Sequence, residues 1–236
     1  MLKRRPLQAM RALGRLVDDP RDTAQVFVIM RALAGDAIAR GQTRFAATPT
    51  GAAVLASRRD LLASLTDRGA LAGLPEGSLG RAYLDLVQRA GITAEGLVAA
   101  SEEAATDYAT LTPDQALYAR RLRDSHDLWH VVTGYGTDPF GEVCVVAFSH
   151  PQTGNLGFAA IAVIGALKTA RETGNLGVFA AVWRAWRDGR RAAWFPGQDW
   201  EARLAQPLAV VRKELRVDVR TREMPREAQP FERATA

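Results

Sequence analysis

An all-α protein, built as one compact multi-helix domain, is what the sequence predicts, and three observations carry that prediction. Apolar residues recur at the three-to-four spacing of a helix through most of the 236 residues,. The alternating pattern of a half-buried strand is almost absent. Capping and turn residues punctuate the chain at helix-length intervals, with Ser, Thr, Asp or Asn ahead of apolar runs and Gly or Pro behind them,.

The elements follow in order. MLKRRPLQAMRALGRLV reads as a basic amphipathic segment over 1–17, able either to lie on an anionic membrane surface or to pack as a surface helix,. It has no long apolar core and no cleavage-site pattern, so it is not read as a secretory signal. Asp22-Thr23 can cap a helix through VFVIMRAL that stops near Gly35,. Arg58 to Leu65 gives another helical stretch, closing at Gly69. After the turn LPEGSLG, Ser78 caps a helix with Leu79, Tyr83, Leu86 and Val87 on one face. Thr93 caps a helix through Val98 to Glu102-Glu103. Thr112-Pro113-Asp114 starts a long helix through Tyr118, Leu122 and His126 to about Val132, ended by Gly134 and Gly136,.

Asp138-Pro139 opens the next helix, with Glu142 in its first turn. The pentapeptide TGNLG then occurs at Thr153 and again at Thr173, each time ahead of an apolar run lined with Gly and Ala. Two copies fall short of a repeat architecture; they predict two helices with similar starts that other helices or a lipid chain can approach closely. A last helix is expected over Asp199 to Leu215, and a disordered tail over 221–236,.

Bulk composition excludes several classes. The formal charge of +5 rests on arginine, with lysine only at 3, 168 and 213, and the arginines are scattered among carboxylates. No basic stripe with interleaved aromatics forms, so no nucleic-acid partner is expected. The single cysteine, Cys144, lies in the apolar run VCVVAF and is expected to be buried,. No apolar run reaches the roughly 18 residues of a membrane-spanning helix,.

All three histidines fall between 126 and 150. His126 and His130 are four apart, so both imidazoles reach one point beside a helix, with Asp127 between them,. A carboxylate from a second helix would complete the set, and Glu142 is placed to supply it if the Gly134–Asp138 turn folds that helix back. Nitrogen and oxygen donors of this kind suit Zn, Fe(II) or Mn(II), and residue type does not choose among them. A metalloprotease would need glutamate after the first histidine, where this chain has Asp127,. Arg120, Arg121 and Arg123, just ahead of His126, could hold an anionic head group,.

His126-Asp127-x-x-His130, eleven residues, then Glu142 resembles the motif of the Coq4 family of ubiquinone biosynthesis. The resemblance extends through LPEGSLGRAYLDL at Leu74, YARRLRDSHDLWH at Tyr118, DPFGEVCV at Asp138, HPQTGN at His150 and DWEARLAQPLAVVRKEL at Asp199. It covers about Asp18 to Val219, which makes 18–220 a Coq4-like helical domain. The resemblance implies a divalent metal, usually zinc with Fe or Mn still open, held by His126, Asp127, His130 and Glu142 between two helices. It implies C1 decarboxylation of a polyprenylated 4-hydroxy-methoxybenzoate, in an oxidative form that leaves a hydroxyl, by a carbon–carbon lyase. It further implies contact with other ubiquinone-biosynthesis enzymes and with a membrane surface. A lipid-accommodating groove then gives Leu156 and Phe158 a use as substrate contacts, beside Arg120 and Arg123. The alternative is a non-catalytic prenyl-lipid-binding scaffold with a structural metal. Without a targeting presequence, a bacterial-type homologue is expected, in the cytoplasm at the inner face of the membrane; the oligomeric state, a homodimer included, stays open.

Overall fold

A computed structural model describes residues 5–18, 24–92 and 110–219. The helices are α1 (Pro6–Asp18), α2 (Ala24–Ala34), α3 (Ala37–Ala46), α4 (Pro49–Ser57), α5 (Leu61–Thr66), α6 (Arg68–Ala72) and α7 (Leu79–Arg89). They continue as α8 (Pro113–Asp124), α9 (His126–Thr133), α10 (Pro139–Thr153), α11 (Leu156–Thr173), α12 (Gly177–Arg191), α13 (Trp200–Arg203) and α14 (Leu208–Glu214). The all-α prediction holds among the described residues, where one isolated bridge, Ser78 with Pro207, is the nearest approach to a sheet. The helix expected after Thr93, the Asp22-Thr23 cap and the tail over 221–236 lie outside the described residues.

Contacts sort the chain into two units, each with its own core. The first takes the chain up to Ala37 and Tyr135–Arg191; the second takes Ile38–Gly134 and Ala192–Asp218.

In the first unit α10 packs on both α11 and α12, and α1 packs on α2, which in turn meets α11. α1 turns Ala9 and Ala12 inward while Leu7 and Met10 stay exposed. Cys144 is buried, as expected. The two TGNLG copies build the same device. Gly154 and Gly174 end a helix at φ +68° and +71°. Asn155 and Asn175 then cap the next one, their Oδ1 atoms accepting from the amides of Gly157 (2.8 Å) and Gly177 (2.6 Å). The first copy also ties α11 to α2, because Asn155 Nδ2 donates to the Met30 carbonyl.

In the second unit Phe45, Val54, Leu117 and Tyr118 form a buried cluster, joined by Ile38, Leu55, Leu122 and Trp194. Three expectations change here. The stretch from Arg58 begins only at Leu61, because Arg58 adopts φ +53° as a left-handed cap and Asp60 supplies the N-cap. Gly69 lies inside α6 and closes nothing. The last helix divides at Pro207, which has no N–H and would clash with the preceding turn,. The carbonyls released there are reused: Leu204 and Gln206 accept from the amides of Gly80 (2.8 Å) and Leu79 (2.9 Å), satisfying the start of α7,. Ser78 caps α7 as expected; Leu79, Tyr83 and Val87 of the expected face are buried, Leu86 is half-buried, and Leu84 is buried as well.

Candidate metal centre

The two histidines stand on a short helix that begins where a longer one was expected to continue. α8 starts with a full capping box, Thr112 and Gln115 each accepting from the other's amide at 3.3 Å,. At Ser125 the helix is interrupted, and its hydroxyl donates to the Leu122 carbonyl at 3.2 Å. Side-chain bonds of this kind compete with the helix ladder and bend it. α9 then carries His126, Asp127 and His130 through two turns, and Gly134 closes it at φ +75°.

Within α9 the imidazole Nε2 atoms of His126 and His130 are 3.1 Å apart, with the rings edge-to-face at 83°. Two nitrogens bound tetrahedrally at about 2.0–2.1 Å from a zinc ion would stand about 3.3 Å apart. The pair therefore fits two adjacent positions around one divalent ion. His130 is buried and His126 half-buried, so one face of the pair stays open to a ligand.

Asp127 is not in the set of converging donors that holds the two imidazoles. One residue along a helix turns the side chain by about 100°, and the Asp127 charge acts on Tyr83 of α7. Burial first, then the Asp127 carboxylate, holds the Tyr83 hydroxyl well above the ordinary phenol range, so it stays a proton donor. Sequence reasoning placed Tyr83 only as a core residue. It also missed Asp124, whose carboxyl burial pushes upward while two bonds from Arg123 (2.6 and 2.9 Å) partly oppose the shift.

The arginines expected to grip an anion divide by partner. Arg121 is buried and makes a two-pronged bond to Glu201 (2.5 and 2.6 Å), and Arg123 engages Asp124. Arg120 is half-buried on the same helix.

Glu142 belongs to the first unit, in the first turn of α10, and is half-buried. Asp138 caps that helix by accepting from Phe140 and Gly141 (3.0 and 3.1 Å). Gly141 is required, because a Cβ there would strike the backbone of Gly136 as the turn folds back. Leu156, exposed, and Phe158, half-buried, sit in the first turn of α11. His150 is used locally: its Nδ1 lies 3.1 Å from the Asn155 carbonyl.

Comparison with known proteins gives a consistent picture. The family profile described as "Coenzyme Q (ubiquinone) biosynthesis protein Coq4" matches residues 1–220. The mitochondrial COQ4 homologue of Bos taurus is 32% identical over 167 residues, covering 71% of this chain and 60% of that protein. The Mus musculus homologue is 33% identical over 171 residues, with the same shares. The Coprinopsis cinerea protein is 26% identical over 198 residues, covering 84% of this chain and 66% of its own length. The chain thus spans about 60% of the length of the mammalian relatives it matches. A crystal structure of a protein from Nostoc punctiforme superposes with a TM-score of 0.66 at 20% identity, covering 90% of this chain and 98% of the other. At that identity the likeness speaks to the fold alone.

Proposed function

Because the chain belongs to the Coq4 family of coenzyme Q (ubiquinone) biosynthesis proteins, we propose that it is a metal-dependent carbon–carbon lyase. It removes the C1 carboxylate of a polyprenylated 4-hydroxy-methoxybenzoate. The observation that carries this reading is the His126–His130 pair, whose Nε2 atoms converge at 3.1 Å inside the family's long-spaced motif.

By the family's motif, His126 and His130 supply two nitrogen donors and Glu142 the carboxylate. Asp127 would be the remaining donor of the family's set. A divalent ion held there, zinc by family with Fe or Mn as the other choices, supplies Lewis-acid polarisation of the bound carboxylate or phenolate. Tyr83 stays protonated under burial and the nearby Asp127 charge. Arg120 and Arg123 steady the anionic head group, and Leu156 and Phe158 take the start of the prenyl tail.

In the reaction the C1–carboxyl bond breaks and carbon dioxide leaves. In the form that leaves a hydroxyl at C1, water supplies the hydroxyl oxygen, and the two electrons removed from the ring pass to a two-electron acceptor such as dioxygen, which leaves as hydrogen peroxide. We place the protein as a bacterial-type homologue at the inner face of the membrane, in contact with other enzymes of the pathway. Among the described residues no helix is long and apolar enough to cross a membrane.

A second reading, a non-catalytic prenyl-lipid scaffold with a structural metal, is favoured by one feature. Val163 and Leu167 on α11, with Leu176, Phe179 and Trp183 at α12, stand exposed. The two readings separate when purified full chain meets a polyprenylated 4-hydroxy-3-methoxybenzoate labelled in its carboxylate. Release of labelled carbon dioxide by wild type and not by His130→Ala is the expected result. Substrate binding without release would replace the enzyme by the scaffold.

A further inference from the structure

The helix that bears the histidine pair is eight residues long, too short to persist without outside support. Its N-cap, Ser125, makes no side-chain bond to the first amides. Its C-terminal end is well bonded. Thr133 Oγ1 donates to the Trp129 carbonyl at 2.6 Å, and the Gly134 amide donates to the His130 carbonyl at 2.8 Å. The next two carbonyls are taken from outside the helix. Arg212 of α14 donates from Nη2 to Val131 at 2.8 Å and from Nε to Val132 at 3.0 Å.

We infer that Arg212 is a positioning residue for the metal centre, resting on the metal reading above. Its guanidinium edge fixes the turn of α9 that carries His130. Nε and Nη2 lie side by side on one planar edge, so adjacent carbonyls are gripped together and the last turn cannot rotate. The same cation sits at the negative end of the helix dipole. A metal set tolerates only about 0.5 Å of looseness in its donors, and the fork holds the two residues that directly follow His130. The lysine at 213 next to it offers a point charge and no such fork,.

The test uses the purified full chain with Co(II) as the metal probe, read by its visible absorption and by chelator competition. Arg212→Gln and Arg212→Lys are compared with Arg203→Gln. Arg203 holds Gln198, Gln206 and Glu214 in the same region and touches no carbonyl of α9. The expected result is Co(II) affinity lower by roughly 10-fold in Arg212→Gln, with an altered cobalt band. Arg212→Lys should be partly impaired, and Arg203→Gln should match wild type in both readouts despite a lower melting temperature. Wild-type affinity and spectrum in both Arg212 variants would overturn the inference, as would an equal loss in Arg203→Gln. Hydrogen exchange without metal, over Leu128 to Gly134, separates this inference from the metal reading. Faster exchange in Arg212→Gln alone supports the fork, and unchanged exchange overturns it, whether or not wild type takes up Co(II). Failure of wild type to take up Co(II) counts against the proposed function.

Discussion

In the second unit several charged pairs join distant elements, whereas in the first the close approach of glycine backbones and a repeated capping device stand out. In the second unit Arg121 pairs with Glu201, Arg59 with Asp199 and Arg203 with Glu214, each across a break in the chain or between distant elements. Arg44 adds a cation over Trp194 at 4.0 Å. In the first unit the Lys168–Glu172 pair is exposed and 3.8 Å long, Arg190 lies over Trp186 at 5.0 Å, and glycine contacts and capped turns add to the packing. Gly189 lets α12 meet the backbone of α10 at Phe148, and the Gln152 side chain donates to the Gly189 carbonyl at 2.6 Å. Among the described residues, every large apolar side chain standing exposed except Val210 belongs to the first unit.

That contrast can be broken one contact at a time. The largest effect is expected at Arg121. Arg121→Ala leaves the Glu201 carboxylate, 15% exposed, without its two-pronged partner and should cost about 3–5 kcal/mol in chemical denaturation. Gly189→Ala attacks the first unit's own device. Its Cβ would meet the Phe148 carbonyl and the Pro151 ring, for a loss of about 1–3 kcal/mol in the same measurement.

Asp199 should show a smaller and pH-dependent effect. It caps α13 and accepts two bonds from Arg59 (3.0 and 3.2 Å). Burial pushes its carboxyl up, but the bonds from Arg59 and the Ala202 amide outweigh that and hold it below the usual Asp value. A depressed folded pKa contributes stability that is present above the unfolded value and lost as pH falls through the folded one. Asp199→Ala should therefore cost about 1–2 kcal/mol near neutrality. The gap to wild type should close in acid, below the ordinary carboxylate range; a constant gap would refute the pairing. Smallest of all, Trp183→Ser should change stability by no more than about 0.5 kcal/mol, because the ring is 58% exposed,. Binding of the prenylated substrate or of anionic vesicles should fall in the same variant.

Several element starts were legible because their caps are local, whereas α3 and α4 were not anticipated. Ser78, Thr112, Asp138 and Asn155 each bond amides two or three residues ahead. The break at Pro207 is readable from its missing N–H, although apolar periodicity runs on across it,. The break at Ser125 left no such mark, since serine tolerates a helix and only the Leu122 carbonyl reveals the bend. The histidine pair was legible from four-residue spacing. The roles of Arg121 and Arg212 were not, because their partners lie 80 or 81 residues away. Only the folded chain reveals that Arg121 is committed to Glu201.

Metal content tests the central claim most directly. Purified full chain, with His126→Ala, His130→Ala and Glu142→Gln, would be analysed for bound Zn, Fe and Mn after dialysis. A single centre made by these side chains predicts one equivalent of one divalent metal in wild type and its loss in each variant. Wild type without metal, or Glu142→Gln and His130→Ala with full metal, would contradict it.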